Sequence, residues 1–187
     1  MMPRVFLIHG FEGTPNGGWR PWLMGKLARE DIFACALAMP TPDEPKKDAW
    51  VAEIARAVGT PDEQTILVGH SLGVPAILRY LETLDGKKIG GAVLVSGPIQ
   101  NSSGESAEKM QTFFESSFDF SKILASSRGF AVIHGDTDRS VPYSQAETIA
   151  RELSCEVVCI PGGGHLNGSS GWYELPQAFD AVRSFIV

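Results

Sequence analysis

The sequence predicts an α/β fold, a three-layer α/β/α sandwich with a parallel sheet at its centre. Two observations carry this. Short, continuously apolar runs such as Val5-Phe6-Leu7-Ile8 and Ala92-Val93-Leu94-Val95 alternate with longer stretches of helical periodicity. Runs without in–out alternation suit strands buried on both faces, as in a parallel sheet covered by crossover helices. The chain has 187 residues, enough for one domain over 1–187 with a full core.

Taken in order, Val5 to Ile8 reads as the first strand, ended by His9-Gly10-Phe11-Glu12-Gly13. A helix starts near Pro21, a residue suited to a first helical position, and carries Trp22, Leu23 and Leu27 toward the core. Phe33 to Ala38 is the second strand, and Met39-Pro40-Thr41-Pro42 with Pro45 forms a stiff connection. Asp48 to Val58 is an amphipathic helix with Trp50, Val51, Ile54 and Val58 at helical spacing. Thr65 to Val68 is the third strand, and the helix after it runs to about Leu84. Ala92 to Val95, Phe130 to His134 and Glu156 to Ile160 are strands four to six. Helices are expected over Tyr143 to Leu153, with Ala146, Ile149, Ala150 and Leu153 inward, and over Leu175 to Phe185. Residues 99–128 are the least orderly stretch, read as one or two short helices over the strand ends; whether they form a partial lid is left open.

Composition narrows the function classes. Hydrophobic residues make up 43% and charged residues 20%, a globular profile, and the net charge of -6 comes without a basic run. That argues against nucleic acid and anionic membrane surfaces as partners. Val5 to Ile8 is far shorter than a signal-peptide core, and no stretch approaches transmembrane length, so a cytoplasmic location is expected. Of three cysteines none forms a C-x-x-C pair; Cys155 and Cys159 are placed in one strand, too far apart along it to bridge. All three are expected to be buried, reduced thiols. Zinc-ligand spacing is absent, and neither a metal nor a cofactor is expected.

The chemistry centres on Gly69-His70-Ser71-Leu72-Gly73, a G-x-S-x-G pentapeptide between a β run and a helical run. A chain that leaves a strand and turns at once into a helix strains the turn residue and leaves no room for bulk two positions either side. The serine hydroxyl then projects at the head of a helix whose amides face the reacting oxygen. A serine needs a base, and the base an orienting group. His165, after three glycines behind the last strand, can swing over Ser71 and is the expected base. His9 is expected to hold its loop, His70 to be structural with its ring directed away from the hydroxyl, and His134 to be a strand-edge residue. Asp138 is expected to orient His165, while Asp136, nearer the strand end, bonds the amides of its own turn. The oxyanion-binding amides are expected at Leu72 and Phe11. Every candidate follows a strand, where open parallel sheets build their sites.

The order Ser71, Asp138, His165 is the α/β-hydrolase order, and the chain resembles that superfamily along nearly its whole length. More narrowly it is similar to the small, lidless serine hydrolases of the retinoblastoma-binding protein type. The narrower marks are Trp19-x-x-Trp22-Leu23, Met39-Pro40-x-Pro42, Trp50, Gly69-His70-Ser71-x-Gly73, Asp138 and Gly164-His165. The resemblance implies six strands in the order 2-1-3-4-5-6, with the two N-terminal strands of larger hydrolases missing. It also implies hydrolysis of small acyl esters through an acyl-enzyme, with short acyl chains suited to an open site. One departure matters. The motif L-x-C-x-E is absent, since Leu153-Ser154-Cys155-Glu156-Val157 has valine in the last place, so retinoblastoma binding is not expected. Two alternatives stay open: a peptidase or thioesterase using the same residues, and a non-catalytic protein-binding module presenting the Trp19 and Trp22 pair and the aromatics of 113–120 as a patch.

Overall fold

A computed structural model describes residues 2–186. Its centre is a six-stranded, all-parallel sheet in the order β2-β1-β3-β4-β5-β6. The strands are β1 (Arg4–Ile8), β2 (Phe33–Ala36), β3 (Thr65–His70), β4 (Gly91–Val95), β5 (Phe130–Gly135) and β6 (Val157–Ile160). The helices are α1 (Arg20–Ala28), α2 (Lys47–Val58), α3 (Gly73–Leu81), α4 (Glu105–Met110), α5 (Phe120–Ala125), α6 (Tyr143–Glu152) and α7 (Pro176–Ser184). This is the α/β-hydrolase arrangement in its six-stranded form.

Side-chain alternation along the strands divides the core into two layers. Phe6, Ile8, Leu67 and Leu94 point to one face and meet Trp50, Ile54 and Val58 of α2, Leu78 and Leu81 of α3, and Ile149 of α6. Val5, Leu7, Val68 and Val95 point to the other face and meet Leu23 and Leu27 of α1 and Ala178 and Val182 of α7. Helix α3 is buried along its whole length, which explains its near-continuous apolar sequence. Among the described residues, no helix is long and apolar enough to cross a membrane.

Several boundaries differ from expectation. Strand β2 stops at Ala36, although the Leu37 amide still donates to the Leu7 carbonyl (2.9 Å) before the chain turns into Met39-Pro40. Helix α3 ends at Leu81 and reaches Leu84 through turns closed by Thr83 and Leu84 amides on the carbonyls of Tyr80 and Leu81. Strand β6 begins at Val157, so Cys155 lies ahead of it rather than in it. It is also an edge strand, which leaves Cys159 exposed, while Cys35 and Cys155 are half-buried. Trp22 is half-buried against Phe179 rather than fully in the core.

Arg79 ties down residues 113–118, the middle of the 99–128 segment. Its buried guanidinium donates to the carbonyls of Phe113 (3.0 Å), Ser117 (3.2 Å) and Ser116, and lies 3.9 Å from the centre of the Phe118 ring. Glu82 balances the charge (3.0 Å) and accepts the Asp119 amide. The aromatics of this segment pack inward, with Phe113 buried and Phe114, Phe118 and Phe120 half-buried; Trp19 is likewise buried. Phe114, Phe118 and Phe120 keep part of their surface in a groove beside Ile99 and Gln100, and Trp22 is half-buried too.

Candidate active site

Strand β3 delivers Ser71 with φ of 54°, in the left-handed region that costs a non-glycine residue about 1–2 kcal/mol. The strain is held by the Ser71 amide donating to the Val95 carbonyl (2.9 Å) and by the close packing that follows. A Cβ on Gly73 would lie 2.4 Å from the Ile8 carbonyl oxygen, and one on Gly69 2.8 Å from the Gly73 carbonyl carbon. Only glycine permits these approaches.

His165 arrives from the loop after β6. Its Nε2 lies 3.0 Å from Ser71 Oγ and its Nδ1 2.7 Å from Asp138 Oδ2. Nδ1–H donates to the carboxylate, which leaves Nε2 to accept the serine proton. The Asp138 side chain is buried, and its Oδ1 accepts the amides of Ser140 (2.8 Å) and Val141 (3.0 Å). Burial alone would raise its pKa. The His165 hydrogen bond and charge, with the two amides, outweigh that and hold the carboxyl below its ordinary value. The structure thus brings together the three side chains singled out in the sequence.

His134 is no strand-edge residue. It is fully buried under the Asp138 loop, where its Nε2–H donates to the Val141 carbonyl (3.0 Å) and lies 3.4 Å from Asp138 Oδ2. Burial foremost keeps its pKa low, so the ring is neutral beside the carboxylate. Asp136 also departs from expectation: its Oδ1 accepts the Gly162 amide (2.7 Å) of the neighbouring loop rather than an amide of its own turn.

The loop carrying His165 is fastened from several sides. His70 Nε2–H donates to the His165 carbonyl (2.9 Å), the Trp19 indole to the Leu166 carbonyl (2.9 Å) and the Trp172 indole to the Gly163 carbonyl (2.7 Å). The Gly164 amide donates to Thr137 Oγ1 (3.1 Å). His70 has its pKa lowered to about 3, by burial first and then by the nearby His165. These fastenings leave little trace in the local sequence, because all but the Trp172–Gly163 bond join residues far apart in the chain. Two signals were available: a second histidine beside the serine, and indoles flanking the glycine-rich loops.

The loop after β1 supplies the opposite wall. Gly10 packs so closely that a Cβ there would lie 2.8 Å from Ser71 Cβ. His9 Nδ1–H donates to the Gly10 carbonyl (2.8 Å), its Nε2 accepts the Met39 amide (3.2 Å), and burial keeps its pKa low. The Glu12 amide donates to the Pro42 carbonyl (2.8 Å), and Trp50 to the Pro40 carbonyl (2.8 Å). The proline-rich connection therefore shapes the loop that carries Phe11. Among the described residues, neither the Phe11 nor the Leu72 amide donates a hydrogen bond.

Two clefts meet at Ser71 and His165, and Ser71 stays partly exposed. The larger, about 650 Å³, is walled by Phe11, Leu72, Met110, Phe114 and Val141, so residues 99–128 form a side of it. The smaller, about 330 Å³, runs along Gly10 to Arg20 and the Asn167 loop. Among the described residues, no three potential metal ligands cluster.

Comparison with known proteins shows the family and the fold. A profile described as serine hydrolase matches residues 5–184. YdeN of Bacillus subtilis (strain 168) is 35% identical over 186 residues, covering 99% of this chain and 97% of that protein. The serine hydrolase RBBP9 of Rattus norvegicus is 26% identical over 179 residues, covering 95% and 91%. The crystal structure of the B. subtilis ydeN gene product superposes with a TM-score of 0.92 over 98% of both chains at 34% identity. Est1E from Butyrivibrio proteoclasticus shares the fold, with a TM-score of 0.74 over 98% of this chain and 86% of its own, at 17% identity.

Proposed function

The chain belongs to the serine hydrolase family, and on that premise we propose that it hydrolyses small carboxylic esters through Ser71, His165 and Asp138. The observation that carries the proposal is the unbroken line of hydrogen bonds from Ser71 Oγ through His165 to the buried Asp138, at the junction of two clefts.

Ser71 Oγ attacks the acyl carbon as its proton passes to His165 Nε2. The charge that develops on the carbonyl oxygen is met by the amides of Phe11 and Leu72, a contribution of about 10²–10³ in rate per donor. The imidazolium is stabilised by Asp138, whose low pKa keeps it ionised while His165 carries the proton. Collapse breaks the bond to the leaving group, which takes the proton from His165. Water, deprotonated by the same nitrogen, then releases the acid and regenerates Ser71. The larger cleft suits a short acyl chain between Met110, Phe114 and Val141.

Turnover of 4-nitrophenyl acetate, butyrate and longer esters by the wild type and Ser71→Ala tests the proposal. Activity highest on the short esters and lost in the variant is expected. Undiminished turnover by Ser71→Ala would refute it.

A further inference from the structure

The smaller cleft holds a cation that the proposed hydrolysis does not use. Arg20, the first residue of α1, is only 6% exposed, yet among the described residues it forms no ion pair. Its Nη2 donates to the Thr14 carbonyl (2.9 Å), and its Nε is buried without a partner. Its guanidinium carbon lies 5.9 Å from the Trp19 ring, and Nη2 sits where a Cβ on Gly17 would come within 2.7 Å. Burial pulls its pKa down to about 10, so it is charged at neutral pH. Removing a cation from water without a counter-charge is costly, and a carboxylate or phosphate repays that cost best.

The same cleft is lined by Ser71 and His165. Asn167, whose Oδ1 already accepts from Ser169 Oγ and the Ser170 amide, can offer its Nδ2 there. Building on the serine-hydrolase reading of Ser71, we propose that Arg20 selects substrates carrying a carboxylate, which enters the smaller cleft while the ester carbonyl sits at Ser71. A carboxylate fits better than a phosphate dianion. The site has one guanidinium, whose planar fork matches a carboxylate, and exposed Glu12 on the same cleft repels a second negative charge.

The test uses two matched pairs of esters, because the carboxylate can belong to the acyl or the leaving group. The first is the 4-nitrophenyl hemiester of adipic acid against 4-nitrophenyl hexanoate; the second is 3-acetoxybenzoate against phenyl acetate. In at least one pair the wild type is expected to favour the anion in kcat/KM. That preference is expected to fall about tenfold to a hundredfold in Arg20→Met, chiefly through KM, with Arg20→Lys intermediate. Ratios unchanged by Arg20→Met in both pairs would overturn the proposal. Should Arg20→Met not fold, wild-type inhibition decides: adipate must compete better than its diamide, and equal inhibition would overturn the proposal. Labelling of Ser71 by a neutral fluorophosphonate separates the two claims. Labelling without anion preference defeats only the role of Arg20, whereas absent labelling defeats the hydrolase reading beneath it.

Discussion

His70 Nε2 donates to the backbone carbonyl of His165 at 2.9 Å, so the residue before the proposed nucleophile supports the chain that carries the proposed base. The two rings lie 5.0 Å apart. One pentapeptide thus sets both the serine and the position of its partner. His70→Ala removes the donor and leaves the His165 carbonyl without it. A displacement of the imidazole by about 1 Å can cost about 10²-fold in rate. A 10–100-fold fall in kcat is expected, with little change in KM on a neutral ester and the far-ultraviolet spectrum retained. Steady-state kinetics with circular dichroism checks it.

The same buried ring makes stability depend on pH. The His70 pKa is lowered to about 3 in the fold, against 6.5 in the unfolded chain. Between those values the unfolded chain binds the proton and the fold does not, so this contribution is complete above about pH 6.5 and is lost as pH falls. One such group costs about 1.4 kcal/mol at pH 5.5. His9 and His134 shift in the same direction, and burial is the leading cause for each. Urea midpoints measured from pH 7.5 to 5 are expected to decline, with a shallower slope in His70→Gln.

Two glycines of equal composition have opposite expected effects. A Cβ on Gly73 meets the Ile8 carbonyl oxygen at 2.4 Å, whereas one on Gly25 in α1 meets nothing within 4 Å. Gly73→Ala is expected to destabilise by about 2 kcal/mol or more, since backbone of β1 must move. Gly25→Ala is expected to stabilise by roughly 0.5–1 kcal/mol through helix propensity. Thermal unfolding of the two variants provides the measurement.

Arg79 is expected to control the wall of the larger cleft. Replacing it by methionine removes the donors that hold the carbonyls of Phe113, Ser116 and Ser117 and leaves Glu82 without its cation. A loss of about 3 kcal/mol is expected, as for a broken buried pair. Limited proteolysis should cut faster between Phe114 and Phe120 than in the wild type.

These residues also show where sequence reading succeeds and where it stops. The strands were legible because a strand buried on both faces must be continuously apolar, and Ser71 because its turn demands Gly69 and Gly73 nearby in the chain. Asp138 and His165 followed from their places after β5 and β6. His134 looks like a strand edge because it is a polar residue ending an apolar run, while its partner Val141 lies on the far side of a turn. Asp136 reads as a residue that bonds its own turn, yet its partner Gly162 is 26 residues away. The order of residues 99–128 is hidden for the same reason: it comes from side chains distant in the chain, Arg79 on the carbonyls of Phe113, Ser116 and Ser117 and Gln145 on the amides of Ile99 and Gln100, not from local periodicity. Cys159 reads as buried because β6 is apolar, and nothing local shows that this strand is an edge of the sheet.

The most direct measurement is labelling of the pure protein with a fluorophosphonate probe and mapping of the adduct by mass spectrometry. The probe needs a serine activated by a base and an oxyanion site. The account predicts an adduct on Ser71 that disappears in a folded His165→Ala variant. No adduct on folded wild-type protein, or an adduct of equal yield in His165→Ala, would contradict it.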